Sequence, residues 1–240
     1  MTEPDARLTI PALLRRRAVE HGDARFLVTD DASLTYGELD RETRRIASAL
    51  VRGGVGKGTR VGLLMPNGID WAVLALGIMR SGAVLVPLST FLRPPELQAQ
   101  LRTAGVEHVV HVPSFRDRDY VADLRSVSAD LPRLREVSTW PWVRPAVDTA
   151  AADEGLTDAL DAAVRPADDM VVIFTSGSRG APKGVIHTHG GALGAVAASL
   201  GPRCIGPDDR MYIPMPFFWM GGFGGGLLSV LVAGATLITE

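Results

Sequence analysis

The stretch MVVIFTSGSRGAPKGVIHTHGG, Met170 to Gly191, runs from an apolar segment through a loop of small and hydroxylated residues around Lys183 and out into strand-forming residues. An apolar run of this length followed at once by glycine reads as a buried strand, and VIHTH beyond it as a second strand. Glycine accepts backbone angles that other residues resist, so successive N–H groups in such a loop can converge on an anion. The hydroxyls of Thr175, Ser176 and Ser178 add donors, Lys183 and Arg179 add positive charge, and Pro182 stiffens the chain beside the lysine. This set suits a polyphosphate better than a single carboxylate. The competing reading is a flexible surface linker, which would not follow a core strand so directly.

Two familiar phosphate motifs fail here. A Walker A loop needs Gly-Lys followed by Ser or Thr and then a helix, but Pro182 precedes Lys183 and Gly184 follows it. GSRGAPKG also lacks the Gly-x-Gly-x-x-Gly of a dinucleotide fold.

Upstream, strand and helix patterns alternate. A helix is expected around Pro11 to Glu20, then a hairpin in RFLVTDDASLTY, whose Asp30, Asp31 and Ser33 suit a turn. TYGELDRETRRIASALVRGG carries a capping box, Thr35 with Glu38, and places Leu39, Ile46, Leu50 and Val51 on one face before Gly53 ends the helix. RVGLLMP, AVLVPLS and VEHVVHV read as buried strands, separated by helices in IDWAVLALGIMRSG and PPELQAQLRTAG. The alternation predicts an α/β fold with parallel-rich sheets covered by helices on both faces. Residues 1–112 form a first α/β portion, 113–166 an irregular, proline-punctuated connection, and 167–240 the portion that holds the loop.

The 240 residues carry 46% hydrophobic side chains and a formal net charge of -2, enough for a core and too balanced to attract nucleic acid. A lone Cys204 excludes a disulfide framework, and the amino-terminal residues do not read as a secretory signal, so a cytoplasmic protein is expected. Met211 to Thr239 lacks charge, but its prolines and glycines break it into a helix and a strand, and no integral membrane span is expected. His187 and His189 alternate on the second strand without a third ligand, which makes them structural histidines, and no metal site is assigned. Arg15 to Arg17 read as a solvated helix face.

TSGSRGAPKGVIHTH resembles the phosphate-loop signature of the AMP-forming adenylating enzymes, the superfamily of acyl-CoA synthetases, luciferases and peptide-synthetase adenylation domains. LTYGELDRETRRIASAL, GTRVGLLMPNGIDWAVLALGIMRSGAVLVPLS and PMPFFWMGGFGGGLLSVLVAGATL support the resemblance in order and spacing. It implies a ligase that joins a carboxylic acid, fatty or other acyl, to CoA through an acyl-adenylate, with the small-molecule acid and CoA as partners and ATP, Mg2+ and CoA as reactants or cofactors. The loop residues Thr175, Ser176, Gly177, Ser178, Arg179, Gly180, Lys183 and Gly184 would hold the phosphates, Lys183 acting in catalysis. Phe218, Trp219, Gly221 and Gly222 would line the acyl pocket, with plain core packing as the alternative. Arg179 stands where the signature usually has a hydroxyl residue, and Trp219 where a histidine is common. The adenine pocket, a magnesium-binding glutamate, a ribose-binding aspartate and a small mobile domain have no counterpart in these 240 residues, so the chain is expected to be an incomplete N-terminal large domain. The rival expectation is a non-catalytic remnant or phosphate-binding module.

Overall fold

A computed structural model describes residues 9–140, 144, 153–175 and 183–240. The chain opens with α1 (Ile10–His21), N-capped by the Thr9 side chain, and the hairpin of β1 (Arg25–Val28) and β2 (Ser33–Thr35). α2 (Tyr36–Arg52) follows directly. The expected capping box is formed: Thr35 Oγ1 accepts from the Glu38 N–H, and the Glu38 carboxylate accepts from the Thr35 N–H.

Next come β3 (Arg60–Leu64), α3 (Ile69–Arg80), β4 (Val84–Pro87), α4 (Pro94–Ala104) and β5 (His108–His111). Gly105 ends α4 in the left-handed region at φ 62°, the stop its position announces. Within 113–166 the described residues hold the short hairpin β6 (Ser114–Phe115) and β7 (Arg118–Asp119), α5 (Tyr120–Ser128), β8 (Glu136–Thr139) and α6 (Glu154–Ala163). Prolines cut these elements short, and β8 is polar because it is an edge strand, which is why periodicity does not show them.

β9 (Asp169–Thr175) and β10 (Lys183–Thr188) are the two strands of the opening stretch, followed by α7 (His189–Leu200). β11 (Arg210–Tyr212) leads to a continuous helical segment made of α8 (Met220–Gly222), a π-helix (Phe223–Leu228) and α9 (Ser229–Ala233), and then β12 (Thr236–Ile238). His189 therefore opens a helix and does not continue the strand. Thr188 provides the reason, because its Oγ1 accepts from the Gly191 N–H and starts α7 there.

The larger sheet has six strands in the order β10-β9-β4-β3-β5-β8, parallel throughout except for the antiparallel β10–β9 pair. The smaller sheet has the order β11-β12-β1-β2. Alternation along each strand splits the apolar residues between two cores. Val61, Leu63 and Leu85 join Trp71, Leu76 and Ile78 of α3 and Phe26, Leu27 and Leu237 of the smaller sheet in one cluster. Leu64, Val84 and Val86 point the other way, onto Leu97 and Leu101 of α4 and Leu124 of α5. Every α3 residue from Trp71 to Arg80 is buried, as expected of a helix apolar on all sides.

Arg80 is fully buried at 0% exposure within that layer. Its guanidinium donates to both carboxylate oxygens of Asp161, at 2.9 and 2.8 Å, and to the Asp40 carboxylate at 2.7 Å. α6 is thereby tied to α2 and α3, and the buried guanidinium is paired with two carboxylates.

Candidate functional site

β3, β4 and β9 run parallel, so the turns that follow them emerge at one edge of the larger sheet. That edge is where parallel sheets usually carry ligands. Thr175 ends β9 and Lys183 begins β10, and the two are register partners. The residues between them, among which the sequence reading places Ser176, Gly177, Ser178, Arg179 and Gly180, lie outside the described residues. What is described is the base of the loop: an exposed hydroxyl and an exposed ammonium side by side across an antiparallel pair. Gly184, opposite Phe174, packs closely on β9, since a Cβ there would meet Val172 Cγ1 at 2.8 Å.

The other strand-end turns bring aromatic residues to this edge. Phe91, in the turn after β4, packs on Phe218 at 5.9 Å and on Trp219 at 6.2 Å between ring centroids. Phe218 is buried and Trp219 is 47% exposed. Gly221 and Gly222 admit close passage of the chain: a Cβ on Gly222 would lie 2.1 Å from the Pro216 carbonyl oxygen, and one on Gly221 would lie 2.7 Å from Met215 Sδ.

A cavity of about 230 Å3 lies between α7 and the π-helix, lined by Val171, His187, Ala195, Arg203, Met220 and Phe223 among others. Phe218, Trp219, Gly221 and Gly222 are not part of its wall; they form the turn that leads into it. π-helical turns are rare and concentrate at functional sites. This one is held open by Arg203, which donates to the Gly225 carbonyl at 2.7 Å and to Ser229 Oγ at 2.8 Å, while Ser229 Oγ donates to the Gly224 carbonyl at 2.9 Å. Arg203 and the π-helix carry no local sequence signal, because three consecutive glycines hide any periodicity. A second, more apolar cavity of about 330 Å3, between α2 and the β5–β8 edge, holds none of the loop or pocket residues.

His189 is fully buried, and its Nδ1 accepts from the Ile10 N–H at 3.2 Å. Burial lowers its pKa to about 4, with the charge of Asp168 opposing that shift and the charge of Lys57 adding to it. It packs the start of α7 onto α1. Among the described residues there is no group of three or more His, Cys, Asp or Glu side chains able to hold a metal. No helix among them is long and apolar enough to cross a membrane.

A family model described as AMP-binding enzyme matches residues 14–240. A 3-[(3aS,4S,7aS)-7a-methyl-1,5-dioxo-octahydro-1H-inden-4-yl]propanoyl:CoA ligase of Rhodococcus jostii is 35% identical over 96% of this chain and 47% of its own length. The long-chain-fatty-acid--CoA ligase FadD13 of Mycobacterium tuberculosis is 31% identical over 95% of this chain and 44% of its own. Among solved structures, a fatty acyl CoA synthetase of M. tuberculosis superposes with a TM-score of 0.82 at 27% identity, covering 97% of this chain and 44% of that one. The chain thus spans about half the length of the curated relatives it matches. With the family model running across both sheets, from residue 14 to residue 240, this chain belongs to the AMP-binding enzyme family.

Proposed function

We propose that this chain forms the triphosphate-holding part of an ATP-dependent carboxylate–CoA ligase, a cytoplasmic enzyme. The observation that carries the reading is the pairing of Thr175 with Lys183 across the base of a glycine-rich loop at the ligand-bearing edge of the sheet. The CoA-ligase names of the relatives support it.

In the proposed reaction a carboxylate oxygen attacks the α-phosphorus of ATP, the bond to the β-phosphate bridge breaks, and pyrophosphate leaves. The thiol of CoA then attacks the acyl carbon and AMP departs. Lys183 supplies one positive charge beside the β- and γ-phosphates, where negative charge grows as pyrophosphate separates. The Thr175 hydroxyl and the loop residues Ser176, Gly177, Ser178, Arg179 and Gly180 add donors, and Gly184 keeps the second strand tight against the first. Catalysis of this kind is positioning and electrostatics, with no covalent step on the protein. Mg2+ would neutralise phosphate charge when bound. The described residues offer it no carboxylate cage, so no step is assigned to it. The turn Phe218, Trp219, Gly221 and Gly222 and the cavity behind it would take the acyl part of the acid.

The test is carboxylate-dependent exchange of radiolabelled pyrophosphate into ATP across a panel of aliphatic and aromatic acids. Exchange should require an acid, and Lys183→Ala should lower it by about 100-fold, the usual cost of one preorganised charge or donor. A protein inert with every acid, or a Lys183→Ala variant as active as the parent, would overturn the reading.

A further inference from the structure

The segment from Ile213 to Trp219 is neither strand nor helix, yet it carries the turn into the acyl cavity. Two of its residues, Pro214 and Pro216, have no backbone N–H, so no sheet ladder can hold it continuously. Beyond the Ile213 N–H, which donates to the Ile238 carbonyl at 3.0 Å, what holds it is a side chain distant in sequence. Asn67, in the turn between β3 and α3, accepts from the Phe217 N–H through Oδ1 at 2.7 Å. Its Nδ2 donates to the Met215 carbonyl at 3.1 Å and to Thr239 Oγ1 at 3.2 Å. One carboxamide therefore reads the backbone on both sides of Pro216, as a neighbouring strand would. A carboxamide offers a donor and an acceptor at a fixed separation whatever the pH, which a carboxylate does not.

The surroundings fix Asn67 itself. Gly68 follows it at φ 148°, a conformation open only to glycine without strain, and starts α3 one residue later. Trp71, one turn into α3, packs edge-on against Phe217 at 5.3 Å and Phe223 at 6.1 Å. The same turn of chain thus grips the segment by hydrogen bonds and by an aromatic wall, while Phe91 supports Phe218 and Trp219. The Pro216 carbonyl between these grips is the group that Gly222 approaches, so a shift of the segment moves the start of the π-helix.

We propose that Asn67 is a positioning residue for acid selection: it sets the register of Met215 to Trp219 and through it the shape of the acyl pocket, without touching ATP. The proposal rests on the ligase reading above. It requires loss of the carboxamide to change recognition of the acid and to leave recognition of ATP alone, since Lys183 and Thr175 belong to a different turn of the sheet edge.

The experiment compares the parent with Asn67→Asp and Asn67→Ala. Asn67→Asp keeps the shape and the acceptor for Phe217 and sets an oxygen against the Met215 carbonyl; Asn67→Ala removes all three bonds. In the full protein, KM for the acid should rise about tenfold or more in both variants and the preference among acids of different size should change, with KM for ATP moving less than about twofold. Amide hydrogen exchange gives a readout independent of activity: peptides covering 213–222 should exchange at least about tenfold faster in Asn67→Ala, with β3 and β9 unchanged. Parallel changes in KM for acid and ATP, an unchanged acid preference, or unchanged exchange at 213–222 would each overturn the proposal. A parent inert with every acid would sink the ligase reading instead, and the exchange data would still decide whether Asn67 holds the segment.

Discussion

At the scale of single residues, His189 shows how burial ties a histidine beside a phosphate-loop signature to the packing of α7 on α1. Its Nδ1 is occupied by the Ile10 N–H and the ring is sealed from solvent, so protonation must break a packed contact. Its folded pKa of about 4 lies below the ordinary 6.5, and the unfolded chain therefore binds more protons between those values. Stability is complete above the window and falls as pH drops through it, by up to ~3 kcal/mol at about 1.4 kcal/mol per pKa unit. Urea unfolding at pH 7 and pH 4.5 should show that loss in the parent and a clearly smaller one in His189→Gln. Equal losses would refute the assignment. The alternating spacing of His187 and His189 points to one strand, because spacing alone does not reveal that the Thr188 hydroxyl caps a helix between them.

At the scale of elements, the π-helix and the turn before it depend on one close approach. Alanine at position 222 would put its Cβ 2.1 Å from the Pro216 carbonyl oxygen and 2.5 Å from its carbon, and backbone cannot yield as a side chain can. Gly222→Ala should lower stability by about 3 kcal/mol, at the upper end of overpacking costs. Gly225, with nothing within 4 Å of its virtual Cβ, gives the control: Gly225→Ala should stay within ~0.5 kcal/mol of the parent in thermal unfolding. Both residues are helical glycines in one stretch, and only tertiary geometry separates them.

The same limit governs which elements the sequence discloses. α2 is legible because the Thr35 and Glu38 pair acts within one turn, and β3, β4 and β5 because burial on both faces gives each an unbroken apolar run, even where Arg60 opens β3 and histidines flank the valines of β5. α7 is hidden by Gly190, Gly191 and Gly194, and β8 and β11 by being short edge strands whose existence depends on the neighbour they pair with. The signature around Lys183 is local and readable. The grip of Asn67 on Phe217 joins residues far apart in the chain and leaves no pattern at either end.

At the scale of the whole molecule, the Arg80 node fixes α6 against α2 and α3. Arg80 and Asp161 are both buried, and Arg15 and Arg44 extend the network to Asp161 and Asp158 at 3.5 and 3.2 Å. Asp161→Ala should cost about 3 kcal/mol by leaving a buried guanidinium short of a partner. Replacing both ends, Arg80→Leu with Asp161→Leu, should cost less than the sum of the single changes, a coupling that equilibrium unfolding of the four proteins measures.

The smaller sheet sets an order of events on the chain as it is made. β12, from Thr236 to Ile238, inserts between β11 and β1, so the first strand synthesised finds one of its two neighbours only among the last residues described. Until then β1 and β2 form a lone hairpin, which is marginal in water. The six-stranded sheet has all its strands once β10 has emerged. During synthesis, then, the sheet that bears the loop can assemble first, while β1 gains its second neighbour only once β12 has emerged.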